Sequence, residues 1–175
     1  MKRFLVNWPV MLLAVLVASC GKEKSVEEDV SQYFLKCKIG SIEKTFNISA
    51  AAHKQDVGGG EMDYSVFGKA NADPSDFESM GFTIRLSIPL ATGTYKDTDP
   101  TTDYFMASIY NPNTTEAEKI YANRYDENNP FQITFTEITA TTLSGTFQGK
   151  MYIHSTDPNA DSALITNGQF KVKLQ

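Results

Sequence analysis

The chain has 175 residues, of which 41% are hydrophobic and 21% charged, and its formal net charge is −5. This composition is typical of one globular domain, and it excludes collagen-like, disordered and multi-span membrane proteins. The acidic balance also argues against a nucleic-acid partner, because binding to phosphates requires a basic surface. Two cysteines are too few for a disulfide-stapled mini-protein.

The N-terminal segment differs in character from the rest of the chain. Lys2 and Arg3 precede an apolar run from Phe4 to Ala18, which is shorter than the roughly 20 apolar residues that a membrane span requires. A basic start followed by such a run is typical of a secretory signal peptide. The alternative is a membrane anchor that is retained, but the small residues that end the run favour cleavage. We therefore predict a signal peptide over residues 1–19.

The end of this run, Leu16-Val17-Ala18-Ser19-Cys20, resembles the lipobox of bacterial lipoproteins. The resemblance implies that the chain is cut before Cys20 and that this cysteine is lipidated and acylated, for example with palmitate. Gly21 follows, where enteric lipoproteins kept in the inner membrane carry aspartate, and this implies the outer membrane. Several acyl chains would make the attachment stable.

Residues 20–31 are predicted to comprise the cysteine that the resemblance implies is lipidated and a flexible acidic tether. The tether is predicted because GKEKSVEEDVS has no periodic apolar face. Charged residues soon after the cysteine resemble the surface-export signals of Bacteroidota-type lipoproteins. The predicted location is thus the cell envelope, on an outer membrane, facing either the periplasm or the medium. Loss of Lys2 and Arg3 with the signal peptide leaves 14 basic and 21 acidic side chains, a net charge of −7.

From Tyr33 onward, apolar and polar residues alternate with the period of two that indicates half-buried antiparallel strands. The glycines at 58–60 predict a hairpin between strands near 45–54 and 61–69. We therefore predict one all-β domain over residues 32–175, an antiparallel β-sandwich or β-barrel of about nine strands. The clearest alternating runs lie at 33–39, 82–88, 131–136, 143–153 and 170–174.

Four local features carry more specific predictions. Asp103–Tyr110 has apolar residues of both parities, which predicts a strand buried on both faces. Thr115 and Glu118 have the spacing of a capping box and predict a single helical turn. Gly145 and Gly149 lie on the apolar side of their strand, where they leave room for bulky neighbours or a bend. Asn167-Gly168 predicts a bulge or tight turn.

The order of several segments is similar to that in a group of small Bacteroidota lipoproteins whose β-rich domain has no assigned function. The resemblance implies a β-rich fold and an envelope location, and it implies no catalytic residues. The similar pieces are the first strand pair FLKCKIGSIEKTFN, TGTY at 92–95, LSGTFQG at 143–149 and ITNGQFKVKL at 165–174.

Candidate chemistry is sparse. The only histidines, His53 and His154, have no zinc-ligand spacing and are predicted to be surface residues. No nucleophile elbow or phosphate-binding loop is present. Cys37 shares the apolar parity of its strand and is predicted to be buried rather than reactive. The sequence therefore predicts no catalytic residue, no enzymatic activity and no cofactor.

Two acidic loops have oxygen-bearing side chains at alternate positions, a pattern that suits calcium. Asp-Pro and Asn are also good turn formers, so we predict solvated turns and no metal site. The residues concerned are Asp97, Asp99 and Asp103 in the first loop and Asp157, Asn159 and Asp161 in the second.

The predicted function is that of an outer-membrane lipoprotein, anchored through Cys20, that presents a non-enzymatic β-domain for binding or envelope assembly. The partner is an unknown protein, glycan or small molecule. Sugar-binding platforms use aromatic faces, yet Tyr64, Tyr104 and Tyr152 are predicted to lie at the margins of the core. The alternatives are a lipocalin-like carrier of a small apolar ligand and a hydrolase with an unfamiliar site. A large interior cavity would favour the carrier.

Overall fold

The computed structural model describes residues 32–97, 103–153 and 161–175. These residues form eleven β-strands and one turn of 3-10 helix at Ala117–Lys119, so the prediction of an all-β antiparallel domain is confirmed. The strands are β1 (Phe34–Ile39), β2 (Ile42–Thr45), β3 (Ile48–Gly58), β4 (Glu61–Lys69), β5 (Ser79–Leu86), β6 (Gly93–Lys96), β7 (Tyr104–Asn111), β8 (Tyr121–Ala122), β9 (Gln132–Ile138), β10 (Thr142–Ile153) and β11 (Ser162–Leu174).

The strands divide into two sheets that remain joined by hydrogen bonds. The first sheet has the order β3-β4-β5-β7-β8, and the second has the order β2-β1-β11-β10-β9-β6. Two short pairings join them: Tyr152 and Ile153 of β10 pair with β8, and the end of β11 pairs in parallel with Ala51 and Ala52 of β3. The fold thus combines the two layers of a sandwich with the closed hydrogen-bonded circuit of a barrel.

Aromatic rings fill the space between the two sheets. Phe82 of β5 lies across from two rings of the second sheet, with centroid distances of 5.7 Å to Phe147 and 5.2 Å to Phe170. Phe135 approaches Phe170 edge-on at 5.6 Å. Each of these side chains is at most 2% exposed. Close packing of this kind supplies most of the apolar burial that stabilises a β-sandwich.

Glycines in the second sheet make room for these rings, as the sequence predicts. A Cβ atom at Gly145 would lie 2.0 Å from the carbonyl oxygen of Thr134 and 2.8 Å from Cζ of Phe170. The predicted irregularity at Asn167 is also confirmed, because this residue has a φ of +52° and the registers of β11 with both neighbouring strands shift there. Such a bulge re-aims a strand without ending it.

Two local predictions need correction. β7 is buried on one face only, since Phe105 is 58% exposed and Ile109 is 45% exposed on the side away from the core. No second layer covers that side within the described residues, so the apolar side chains there face solvent. The helical turn near Thr115 is present, but it begins at Ala117, and its N-cap residue is Glu116, which makes no side-chain capping bond.

Among the described residues, no helix is both long and apolar enough to cross a membrane. The predicted signal peptide, Cys20 and the tether lie outside the described residues, and they stay predictions.

Candidate functional site

A surface pocket of about 570 Å³ lies where β5 ends, β6 ends and β7 begins. We call it the β6–β7 pocket. Its wall combines aromatic rings with charged groups of both signs, and no sequence motif marks it. The aromatic residues are Tyr104, Phe105 and Tyr125, and the charged residues are Glu61, Arg85, Lys96, Asp97 and Asp103.

Tyr104 fixes one wall of this pocket by bonding to the backbone of β6. Its hydroxyl accepts a hydrogen bond from the Lys96 N–H at 2.9 Å and donates one to the Lys96 carbonyl at 2.9 Å. The ring also meets Tyr95 edge-on, with 5.2 Å between centroids. Because both backbone groups of Lys96 are occupied, the end of β6 is held against the start of β7.

Asp97 follows β6 and is held by Asn123, a residue from the segment after β8. The Asn123 side-chain amide donates to the Asp97 carboxylate, while its oxygen accepts from the backbone N–H of Ser108 on β7. The Asp97 N–H donates to the carbonyl of Phe131 at 2.9 Å. Partial burial raises the pKa of the Asp97 carboxyl above its usual range, although the bond from Asn123 opposes the shift. Asp97 is therefore a positioned carboxyl group rather than a loose surface acid.

Arg85 connects the pocket to the outer face of the first sheet. It binds Asp63 on the neighbouring strand through two parallel hydrogen bonds, of 2.7 Å from Nε and 3.0 Å from Nη2. These bonds lower the pKa of the Asp63 carboxyl. The guanidinium also lies 5.9 Å from the centre of the Phe105 ring on the other side. Charge pairing and ring contact thus hold Arg85 at the rim of the pocket.

The chemical capacity of this pocket is recognition of a polar ligand. Phe105 and Tyr125 are 58% and 52% exposed, so both rings offer apolar surface to a bound molecule. The flanking carboxylates accept hydrogen bonds and Lys96 donates them. No group of three or more His, Cys, Asp or Glu side chains is placed to hold a metal ion in the described parts of the chain.

The residues predicted from sequence have different outcomes. Asp97 and Asp103 of the first acidic loop both line the pocket, but Asp161 lies elsewhere and accepts a hydrogen bond from Tyr121 at 2.7 Å. His53 is exposed on β3, as predicted. Cys37 is 4% exposed, which confirms its predicted burial. Cys20, Asp99, His154, Asp157 and Asn159 lie outside the described residues.

Sequence reasoning missed Arg85, Phe105, Asn123 and Tyr125 as members of one site. Asn123 is 26 positions from Asp97, and nothing in the local pattern signals their contact. No local signal marks Phe105 as exposed either, because Phe105, Ala107 and Ile109 are all apolar and their shared parity alone predicts a buried face.

Comparisons with protein-family models, with curated proteins and with solved structures find no match to this chain.

Proposed function

We propose that this protein is a lipoprotein, anchored to an outer membrane through Cys20, that presents a non-enzymatic β-domain for binding, with the β6–β7 pocket as its ligand site. The observation that carries the binding site is the pocket itself, in which exposed rings stand beside positioned charges. The lipobox-like sequence before Cys20 supports the anchor. The ligand is a small molecule, a glycan or a segment of another envelope protein.

The carrier alternative has no support from the described core. An apolar ligand of a carrier would lie in the space between the sheets. That space is filled by the rings of Phe82, Phe135, Phe147 and Phe170. The β6–β7 pocket, by contrast, opens at the surface and is lined by charged groups. We therefore do not propose transport of an apolar ligand.

The anchor is tested by metabolic labelling with an alkyne analogue of palmitate in a bacterial host that processes lipoproteins. We expect the chain to take up the label and to fractionate with the outer membrane, and Cys20→Ser to lose both properties. Cys37→Ser is the matched control, since it removes the other cysteine and should leave the label in place. Labelling that persists in Cys20→Ser, or membrane recovery without label, would contradict the proposal. Protease treatment of intact cells then reports which side the domain faces.

The binding site is tested by thermal shift against a panel of neutral oligosaccharides, amino acids and dipeptides. Saturation by a ligand at 100 times its Kd adds about 2.7 kcal/mol, which is several degrees in Tm for a domain of this size. We expect Phe105→Ala to abolish the shift, because it removes the ring at the rim. Phe77→Ala is the control, because Phe77 is also exposed (43%) but does not line the pocket. A shift that survives in Phe105→Ala would place the ligand elsewhere.

A further inference from the structure

The outer face of the second sheet carries a group of lysines on an otherwise acidic protein. Lys36 and Lys38 point outward from β1, on either side of the buried Cys37, and Lys171 points outward from β11. The complete chain has 16 basic and 21 acidic side chains. Three of these basic side chains share this face. We call these three lysines, together with Phe34, the β1 lysine patch.

The members of this patch are held close together by the sheet. Phe34 lies directly opposite Lys171 in the pairing of β1 with β11, and the Lys36 ammonium lies 5.0 Å from the centre of the Phe34 ring. Lys38 is 3.5 Å from the exposed carboxylate of Glu43. In the described residues, Lys36 forms no ion pair. The patch thus retains a net positive charge next to a half-buried aromatic ring.

Polar side chains extend this face across the whole second sheet. Directly paired residues form one row over six strands, and every member ends in a hydroxyl, amide or amine group: Thr94, Thr134, Thr146, Gln169, Lys36 and Thr45. Protein-binding hot spots are usually aromatic side chains or arginines. A row of hydroxyl, amide and amine groups can donate hydrogen bonds to the phosphate and glycerol oxygens of a lipid surface.

The patch also lies at the point where the chain enters the domain. Phe34 is the first residue of β1, and the segment that connects it to Cys20 spans no more than roughly 50 Å even when fully extended. A lipid at Cys20 would therefore keep the patch within roughly 50 Å of the bilayer. We propose that the β1 lysine patch docks the domain against an anionic lipid surface, so that the second sheet faces the membrane and the first sheet faces away. This inference rests on the proposed lipid anchor.

Electrostatics sets the expected size of the effect. Each lysine close to an anionic membrane strengthens association by about fivefold, and this attraction decays over a Debye length of about 10 Å at 0.1 M salt. Loss of two lysines should shift the ratio of docked to undocked protein by at least about tenfold. The ratio should also fall steeply as salt is raised toward 1 M, where the Debye length is about 3 Å.

The test uses the full lipidated chain in vesicles of phosphatidylcholine, with or without 30% phosphatidylglycerol. A fluorophore is attached to a cysteine introduced at Gln169→Cys on the docking face or at Ser65→Cys on the first sheet. Quenching by lipids spin-labelled at the headgroup reports which face touches the membrane. The charge-reversed variant Lys36→Glu/Lys38→Glu is compared with Lys54→Glu/Lys69→Glu, which changes the same number of charges on the first sheet.

We expect quenching at position 169, not at position 65, and only in vesicles that contain phosphatidylglycerol. The Lys36→Glu/Lys38→Glu variant should lose it and the control should keep it. Equal quenching at the two positions, or quenching independent of phosphatidylglycerol, would overturn the docking proposal while leaving the anchor intact.

Mass spectrometry of Cys20 and sedimentation in high salt report the anchor separately. If Cys20 carries no lipid, the anchor proposal fails, and low-salt sedimentation with each vesicle type then decides whether the patch binds.

Discussion

The outer faces of the two sheets differ sharply, although their inner faces contribute the same kind of side chains to one core. On the outer face of the first sheet, Phe67 and Ile109 lie on either side of Gly81 in one row of paired residues. Another outward row of the same strands contains the ion pair of Asp63 and Arg85, followed by Phe105. On the second sheet, the corresponding surface is a row of hydroxyl, amide and lysine side chains. One face therefore offers rings and paired charges, and the other offers hydrogen-bonding groups.

This difference shows which strand positions must be apolar and which can carry other side chains. Alternation places every second residue of a strand in the core, so the inner positions of both sheets must be apolar. The outer positions carry no such requirement, so their side chains can differ between the two sheets. The β6–β7 pocket adjoins the face with exposed rings, while the lysines lie on the other.

The largest effect should come from filling the glycine space beneath the second sheet. In Gly145→Ala, the new methyl group would lie 2.0 Å from a backbone carbonyl oxygen, which cannot move without shifting β9. We expect a loss of about 3 kcal/mol in the free energy of unfolding. Gly81→Ala in the first sheet meets a carbonyl at 2.9 Å and the Phe67 ring at 3.2 Å, and it should cost only about 1 kcal/mol. Equal losses in urea unfolding would show that the two sheets are packed alike.

The reactivity of Cys37 measures how well solvent is excluded from the inner side of β1. Burial raises the pKa of this thiol to about 12, so we expect no alkylation by iodoacetamide at pH 8 until the protein unfolds. Cys37→Ser places a hydroxyl in the same apolar setting and should cost about 2 kcal/mol, more than Cys37→Ala. Rapid alkylation of the native protein, measured with Cys20 acylated or replaced by Ser, would contradict the burial.

Asp97 should show a stability effect that grows with pH. Its folded-state pKa is raised by burial above the usual 3.8, so the folded protein holds this proton more tightly than the unfolded chain does. Stability from this group is therefore lost as the pH rises from 3.8 through the folded-state value. Asp97→Asn removes that penalty and should raise Tm by about 1–3 °C at pH 7 but not at pH 3. A Tm increase of the same size at both pH values would contradict this explanation.

The ion pair on the first sheet should show the smallest effect, with the opposite sign. The bond from Arg85 lowers the pKa of Asp63 below 3.8, so its contribution is present above that pH and disappears as the pH falls through the lowered value. Arg85→Met keeps most of the side-chain stem but removes the pair, and it should lower Tm by about 1 °C at pH 7, because exposed pairs contribute little. The variant and the parent should converge as the pH falls below the lowered pKa of Asp63. A constant difference would mean that lost packing, rather than charge, is responsible.

Much of the fold follows from the sequence pattern because alternation is a local property. The runs that contain Phe82, Phe147 and Phe170 were predicted as strands with the correct inner faces. The burial of β7 was predicted wrongly, because Phe105 and Ile109 are apolar and only the tertiary structure determines whether a second layer covers them. β8 has two residues and depends on pairing with β7 and β10 rather than on a pattern of its own.

The candidate site could be predicted only in part. Asp97 and Asp103 stood out from the sequence because acidic residues at alternate positions suggest a loop with oxygen ligands. Their partners did not, because Asn123 and Tyr125 lie in the segment after β8, which only the tertiary fold brings to the end of β6. For the anchor at Cys20 the situation is the opposite. The sequence pattern predicts it, but Cys20 is not among the described residues.

The bond from Tyr104 to Lys96 has a consequence for proteins held at high density on a surface. β6 is the last strand of the second sheet, and an outermost strand normally offers its free N–H and C=O groups to any neighbouring chain. The Tyr104 hydroxyl occupies both of these groups at Lys96. Tethering to a bilayer would crowd many copies into two dimensions, where contacts between sheet margins are frequent. The phenol thereby removes one N–H and one C=O group of this edge strand from the pairing that a neighbouring chain could make.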